Sequence, residues 1–374
     1  MVLRMADAID RFYGVIPAGG VGSRLWPLSR AEAPKFLHDV VGNGSTLLRA
    51  TWDRLAPLCA EDRLLVVTGE AHAKEVRAQL PELIDENIVL ESEGRESTAA
   101  IGLAAAILQR RVPDAIIGSF AADHLIGATD RFAAAVREAV EAADAGAIVT
   151  IGIQPIEPST AFGYIRAGKP LSIPAAPSAR KVDAFVEKPK EATARRYLAS
   201  GEYLWNAGMF FARVDRLMEA LAESNPVLAA GINEIADAWG TDTQAEVTAR
   251  VWPGLEKIAI DYTVAEPAAA RGELAVIPGY FQWDDVGDFA AVSRLRKSTN
   301  GNGVTVHGDE NNVVVVDGSG LIVNHTDRVV AIAGIKDIVV VDTPDALLVT
   351  TAANAQKVKQ LVAEIKASKR PEVL

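Results

Sequence analysis

Apolar and polar positions alternate in blocks along the first half of the chain. Tyr13-Gly14-Val15-Ile16-Pro17-Ala18 is a short apolar run that ends in glycines. Leu47 to Leu58 has helical spacing, Leu64-Leu65-Val66-Val67-Thr68 predicts a strand, and Ala71 to Leu80 predicts the next helix. Ile88-Val89-Leu90 predicts a strand, followed by an alanine-rich helix from Thr98 to Arg111. Ala115-Ile116-Ile117-Gly118-Ser119-Phe120 is strand-like, Phe132 to Ala145 is helical, and Ala147 to Ile153 is again a strand. This β-α-β-α order predicts an α/β fold with a parallel sheet covered by helices. The strands read as continuous apolar runs, as strands buried on both faces do. Ligands in such sheets bind beyond the carboxyl ends of the strands, so the segments that follow each strand are where chemistry is expected.

The pattern changes near residue 298. Ser298-Thr299-Asn300-Gly301-Asn302-Gly303 reads as a linker. Short strand-like runs follow at Val313 to Val316, Leu321 to Val323, Val329 to Ile332, Ile338 to Val341 and Leu347 to Thr350. They recur roughly every eight or nine residues with Gly, Asp or Asn between them, which predicts a small all-β unit, a short β-helix or a sandwich. Ala352 to Ala367 predicts a final helix with Val358, Leu361, Val362 and Ile365 on its apolar face. The Pro/Ala/Ser-rich stretch at 170–179 predicts a surface loop. The expected division is an α/β domain over 1–297 and a small β-rich domain with a terminal helix over 298–374.

Composition narrows the function classes. The net charge of −11 argues against non-specific nucleic-acid binding. The N-terminus has no apolar run of signal-peptide length, and no stretch reaches the roughly 20 apolar residues of a membrane span. With Cys59 as the single cysteine, an internal disulfide and a cysteine–metal cluster are excluded, which fits a reducing compartment. A soluble cytoplasmic protein is expected, with neither nucleic acid nor membrane as partner.

The first strand runs into Gly19-Gly20-Val21-Gly22-Ser23-Arg24, then Leu25-Trp26-Pro27-Leu28-Ser29-Arg30 and Ala33-Pro34-Lys35. Glycines admit positive φ and close approach of backbone to ligand, and successive N–H groups in such a turn form an anion nest. Arg24 and Lys35 add charge suited to a triphosphate. The segment is neither a Walker A loop nor a complete Rossmann fingerprint. A tight strand–helix turn without ligand is the plain alternative, and Arg24 and Lys35 weigh against it.

Pro17 to Arg30 resembles the signature of sugar-nucleotide pyrophosphorylases, and Leu25-Trp26-Pro27-Leu28-Ser29-Arg30 is similar to bacterial mannose-1-phosphate guanylyltransferases, which make GDP-mannose from GTP and mannose 1-phosphate. The resemblance implies a Rossmann-like nucleotidyltransferase fold with a mostly parallel mixed sheet and a small β-helix-like C-terminal domain. It assigns the nucleotide to Ala18, Gly19, Gly20, Gly22, Ser23, Arg24 and Lys35. Ala122-Asp123-His124 resembles the family's Ala-Asp-His, which adds Ala122 to the nucleotide site and makes Asp123 the first metal ligand. Phe120-Ala121 stands where the family usually has Ser-Pro. His124 is read as structural.

Trp283-Asp284-Asp285-Val286-Gly287 resembles the family's Trp-x-Asp-Val-Gly, whose Asp, here Asp285, is the second metal ligand. The alternative for this run is a solvated acidic turn. Phe185-Val186-Glu187-Lys188-Pro189 resembles Phe-x-Glu-Lys-Pro, where Glu contacts sugar hydroxyls and Lys the sugar phosphate. As neighbours on an extended chain, Glu187 and Lys188 are expected to point apart rather than pair. Trp205-Asn206-Ala207-Gly208-Met209-Phe210 resembles the motif that places Asn206 on the sugar, and Thr160 to Ile165 resembles one in which Gly163 offers its N–H there. Ile260-Asp261-Tyr262 is similar to a segment the family keeps near the sugar, although Asp261 also suits a helix cap.

Glu91, Arg95 and Ser97 match loosely the segment that lines the nucleobase pocket; Glu96 stands where the family has Asn. Ser97-Thr98 also reads as a helix N-cap. Arg24, Lys35, Asp123, Lys188 and Asp285 are the implied catalytic set. Mg²⁺, with Mn²⁺ as the alternative, is the implied cofactor. Many relatives carry a further cupin-type isomerase domain, which this chain is expected to lack. The expected activity is GMP transfer from GTP to mannose 1-phosphate. A pyrophosphorylase for another NTP and sugar 1-phosphate, such as glucose or a heptose, stays open, as does a non-catalytic sugar-nucleotide-binding subunit. A homodimer through a strand edge of the tail is the expected assembly.

Overall fold

The computed structural model describes residues 7–295, 303–368 and 371–374, so the predicted linker lies almost wholly outside the described residues. Two compact units are present. The first comprises 1–19, 51–122 and 126–283; the second comprises 20–50, 123–125 and 284–374. The chain therefore leaves the first unit at the glycine loop and again at Asp123.

The first unit is built on a nine-stranded sheet. Its strands are β1 (Phe12–Ala18), β2 (Leu64–Gly69), β3 (Ile88–Glu91), β4 (Ile116–Ser119), β6 (Ile148–Ile153), β7 (Tyr164–Pro170), β8 (Arg180–Val186), β9 (Tyr203–Arg213) and β10 (Leu274–Gly279); the two-residue strands β5 (Leu125–Ile126) and β11 (Trp283–Asp284) stand where the chain passes between units. The order is β3-β2-β1-β4-β9-β6-β10-β8-β7. Strands β1 to β4 pair parallel, β9 runs antiparallel between β4 and β6, and β8 runs antiparallel to β10 and β7. All but β8 and β9 thus run one way: the sheet is mixed and mostly parallel.

The predicted strands stand at β1, β2, β3, β4 and β6, and the predicted helices appear with edges shifted by a few residues. Glu96–Arg111 is buried along nearly its whole length, because alanines and Gly102 let neighbouring helices approach; a Cβ on Gly102 would lie 2.9 Å from Ile232. The helix Pro226–Ala238 starts from Asn225, whose side chain accepts the Leu228 N–H at 3.1 Å, with Pro226 in the first turn. The core of this unit gathers Val15, Leu65, Val89, Ile117 and Ile148 from the strands with Leu103, Leu221 and Ile232 from the helices.

The second unit carries the C-terminal strands β12 (Val304–Gly308), β13 (Val313–Val316), β14 (Gly320–Asn324), β15 (Val330–Ala333), β16 (Ile338–Asp342) and β17 (Leu347–Thr351). β12, β14 and β16 pair parallel in one sheet, and β13 and β15 pair parallel in another. Successive strands alternate between sheets, so the chain coils as a β-helix rather than folding as a sandwich. Val304, Ile322, Ile332 and Val340 fill the coil. β17 turns back antiparallel on β16. The predicted final helix divides into a 3-10 turn at Ala352–Lys357 and an α-helix at Val358–Ala367.

Candidate active site

Within the second unit, the loop after β1 puts Gly20 at φ 81° and Gly22 at φ 71°, both in the left-handed region that glycine tolerates. Ser23–Leu25 forms a 3-10 turn that includes Arg24. Gly22 is closed over by Lys35: a Cβ there would meet the Lys35 Cβ at 2.8 Å. Ser29, to which the sequence assigned no role, is buried and donates its hydroxyl to the Gly22 carbonyl at 2.6 Å, fixing the loop.

Lys35 is buried, and its ammonium gathers the other motifs. Nζ lies 2.9 Å from Asp123 Oδ2 and donates to the Asp285 carbonyl at 2.8 Å and the Val286 carbonyl at 3.5 Å. Burial alone would raise the Asp123 carboxyl, but the charges of Lys35 and His124 outweigh it and hold it below the usual value. Asp285 is raised, chiefly by burial and further by Asp284 and Asp123, against the opposing charge of Lys35. Its neighbour Val286 adopts φ 46°, unusual for a β-branched residue, with its side chain fully buried. Asp284 Oδ1 accepts the Val286 N–H at 2.8 Å and so holds this strained turn. Arg24 Nη1 donates to the Gly287 carbonyl at 3.3 Å. Loop, Lys35, Asp123 and the Asp285 turn thus form one cluster, not a solvated acidic turn.

A second cluster lies within the first unit. The β6–β9 register shifts between Thr150 and Gly152, and Gly208 on β9 sits at φ 69°. Such bulges re-aim side chains. Asn206, buried on β9, accepts the Thr150 hydroxyl at 2.7 Å and the Gly208 N–H at 3.1 Å through Oδ1, and donates Nδ2 to Asp261 Oδ1 at 2.7 Å. Thr150, unmarked in the sequence, therefore orients the amide. Asp261 opens a π-helical turn, Asp261–Ala265, and its side chain does not cap it. Burial first, then the Glu187 charge, push the Asp261 carboxyl up to about 7.

Glu187 and Lys188 depart from expectation. They pair at 2.9 Å, because Lys188 turns to φ 43° and the chain there is no longer extended. Burial disfavours the Lys188 charge, but Glu187 outweighs it and raises the ammonium. Glu187 Oε2 is buried without a hydrogen-bond partner, and a Cβ at Gly163 would lie 2.5 Å from it. A buried carboxylate oxygen with no donor is poised for a polar ligand.

The predicted base-lining residues also fall in the first unit. Glu91 ends β3 with Oε1 buried and unpartnered, and burial lifts its carboxyl to about 7. Arg95 donates Nη1 to the Leu255 carbonyl at 2.9 Å and Nη2 to the Pro253 carbonyl, so it anchors that loop. Ser97 does not cap its own helix; its hydroxyl accepts the Ile260 N–H at 3.0 Å. Ala122 donates its N–H to Pro17 at 3.2 Å, and the Ala18 carbonyl accepts the Thr68 hydroxyl at 2.9 Å. Gly19 has no atom within 4 Å of where its Cβ would stand.

A family model described as nucleotidyl transferase matches residues 13–300. A second, described as MannoseP isomerase/GMP-like beta-helix domain, matches 311–365. The mannose-1-phosphate guanylyltransferase of Escherichia coli K12 is 38% identical over 98% of this chain and 76% of its own length. The xanthan biosynthesis protein XanB of Xanthomonas campestris is 38% identical over 96% of this chain and 74% of its own. A crystal structure from Thermus thermophilus, described as a mannose-1-phosphate geranyltransferase, superposes with a TM-score of 0.82 at 32% identity, covering 95% of this chain and 99% of that one.

Proposed function

We infer the function of this chain from its family: it belongs to the nucleotidyl transferases, and we propose that it transfers GMP from GTP to mannose 1-phosphate, giving GDP-mannose and pyrophosphate. The observation that carries the reading is the cluster in which Lys35 joins Asp123, the Asp285 turn and the glycine loop, an arrangement of cation, carboxylates and anion nest suited to a metal-bound triphosphate.

The sugar phosphate has a second pKa of about 6 and is largely a dianion at neutral pH, so it needs no general base. Its oxygen attacks the α-phosphorus in line, and pyrophosphate leaves. The chain's work is positioning and charge neutralisation. The loop amides from Ala18 to Ser23, with Arg24 and Lys35, neutralise the leaving pyrophosphate. Lys188 orients the attacking phosphate, while Glu187, Asn206, Asp261 and the Gly163 N–H hold the sugar. Glu91, Arg95, Ser97 and Ala122 line the nucleotide side. Asp123 and Asp285 are hard oxygen donors, and an ammonium already drawn to Asp123 supports a cation there. Mg²⁺, or Mn²⁺ in its place, would be held by these two and would supply charge neutralisation at the phosphates. No helix among the described residues is long and apolar enough to cross a membrane. The single cysteine, Cys59, buried and free, supports a reducing, cytoplasmic setting. Exposed Leu347 and Val349 on β17 support a homodimer.

The test is pyrophosphate release over a panel of NTPs and sugar 1-phosphates, with Mg²⁺, Mn²⁺ or EDTA. GTP with mannose 1-phosphate gives the highest kcat/KM, and Asp285→Asn loses most turnover while keeping its fold. A preference for another pair overturns the substrate reading. Full activity of Asp285→Asn removes the metal assignment.

A further inference from the structure

We infer that Arg30 and Asp345 are positioning residues for the phosphate loop, so that the C-terminal coil is a working part of the nucleotide site. This rests on the reading that the loop takes a nucleoside triphosphate. Arg30 closes the loop segment that begins at Gly20. Its guanidinium meets the Asp345 carboxylate bidentately, Nη1 to Oδ2 and Nη2 to Oδ1, each at 2.7 Å. Nη2 also reaches the Thr343 hydroxyl at 3.3 Å, and Nε donates to the loop's own Pro27 carbonyl at 3.0 Å. One planar group thus holds both the loop and the turn between β16 and β17.

Both ends of this tie are held by further hydrogen bonds. On the coil, Thr343 and Ala346 exchange hydrogen bonds, the Thr343 N–H to the Ala346 carbonyl at 2.9 Å and the Ala346 N–H to the Thr343 hydroxyl at 3.2 Å. On the loop, Arg30 and Ala33 exchange backbone bonds at 2.9 and 3.2 Å, just ahead of Lys35. Arg30 holds the Asp345 carboxyl below the usual carboxylate range.

Further ties run the same way. The Trp26 indole donates to the Val373 carbonyl at 2.6 Å. Gln356 donates to Asp288, whose other oxygen accepts the Ala291 N–H at 2.9 Å beside the Asp285 turn. Leu25, Leu28, Val286 and Phe289 share one apolar cluster with Leu321 and Val341 of the coil. The loop and the Asp285 turn therefore rest on a floor that the coil supplies.

The Arg30–Asp345 pair adds little to global stability, since the Asp345 side chain is 46% exposed. Its effect lies in geometry. An anion nest works only while its backbone dihedrals are held, and preorganisation of that kind shows in binding. Lys cannot replace Arg30, because an ammonium makes neither the bidentate contact nor the Nε bond.

The experiment uses the full chain with Arg30→Ala, Asp345→Ala, the double variant and Arg30→Lys. Steady-state kinetics with GTP and mannose 1-phosphate, thermal midpoints, and hydrogen exchange of the hydrogen-bonded loop amides of Leu25, Leu28, Ser29 and Ala33 are measured. Each single variant raises KM for GTP about five- to tenfold, as expected for a bidentate charged contact. KM for mannose 1-phosphate, kcat and the midpoint stay close to wild type. The double variant is no worse than Arg30→Ala, Arg30→Lys does not rescue, and the loop amides exchange faster in all four. An unchanged KM for GTP with unchanged exchange overturns the inference, as does full rescue by Lys, additive single effects, or equal losses for both substrates together with a lowered midpoint. Wild-type protein that releases no pyrophosphate with any NTP counts instead against the proposed function, and the exchange measurement then still decides whether the pair holds the loop.

Discussion

Replacing Lys35 by Met keeps most of the apolar stem and removes the charge that organises the cation cluster. The lost partners are Asp123 Oδ2 at 2.9 Å and the Asp285 carbonyl at 2.8 Å. Breaking a buried ion pair by removing one member costs about 3–5 kcal/mol, because the other charge is left uncompensated. The Asp123 side chain keeps 21% of its surface in water, which places the loss at the low end, about 3 kcal/mol, or roughly 10 °C in midpoint for a unit of this size. Lys35 depresses the Asp123 pKa. The stability this supplies is present above the unfolded carboxylate value and is lost as pH falls through the depressed one. The gap between wild type and Lys35→Met is therefore full above the unfolded carboxylate value of about 4 and narrows as pH falls below it. A divalent cation at the same carboxylates restores the missing charge. At about 100 times its Kd it adds about 2.7 kcal/mol, and the increment is larger in the variant, where no ammonium competes. Calorimetry in EDTA at pH 3 and pH 8, and in Mg²⁺ at pH 8, reads all of this. Equal midpoints in EDTA, or the same Mg²⁺ increment in both proteins, would refute the reasoning.

Two further outcomes follow from particular residues. Gly22→Ala places a methyl group at φ 71° and within 2.8 Å of Lys35 Cβ; strain of roughly 1–3 kcal/mol is expected, with KM for GTP raised and KM for mannose 1-phosphate unchanged in steady-state kinetics. Asp261, lifted by burial and by Glu187 to about 7, contributes stability that is complete below its unfolded value near 4 and is lost as pH rises through about 7. Asp261→Asn thus flattens the stability profile and raises stability relative to wild type at pH 8, by up to about 4 kcal/mol, but not at pH 4; parallel melting curves from pH 4 to 8 would contradict this.

The parallel strands were legible because each is a short, nearly continuous apolar run, and the motif residues were legible because chemistry follows such strands. The antiparallel strand β9 was not read as a strand: its aromatic run Tyr203–Phe211 looks like plain core, and its place between β4 and β6 depends on partners far away in sequence. β12 was missed because Val304 to Gly308 holds only two apolar residues between turn-forming neighbours. The helices between Val214 and Val251 carry no chemical motif and went unread. Sequence spacing misjudged Glu187 and Lys188, since a local turn to positive φ cannot be inferred from a Glu-Lys-Pro run. Thr150, Ser29 and Arg30 act through contacts made only after folding, and a lone hydroxyl or guanidinium announces none of them.

The bond from Trp26 to the Val373 carbonyl spans 347 positions of sequence. During synthesis the glycine loop emerges before the groups that brace it, which come 315 to 347 positions later. Local segments of the first unit can collapse as they appear, whereas closing so long a separation is slow and comes late. The nucleotide loop is thus made well ahead of its braces and is among the parts finished late. A chain not yet extended to Asp345 and Val373 would carry the complete signature without the contacts that hold it.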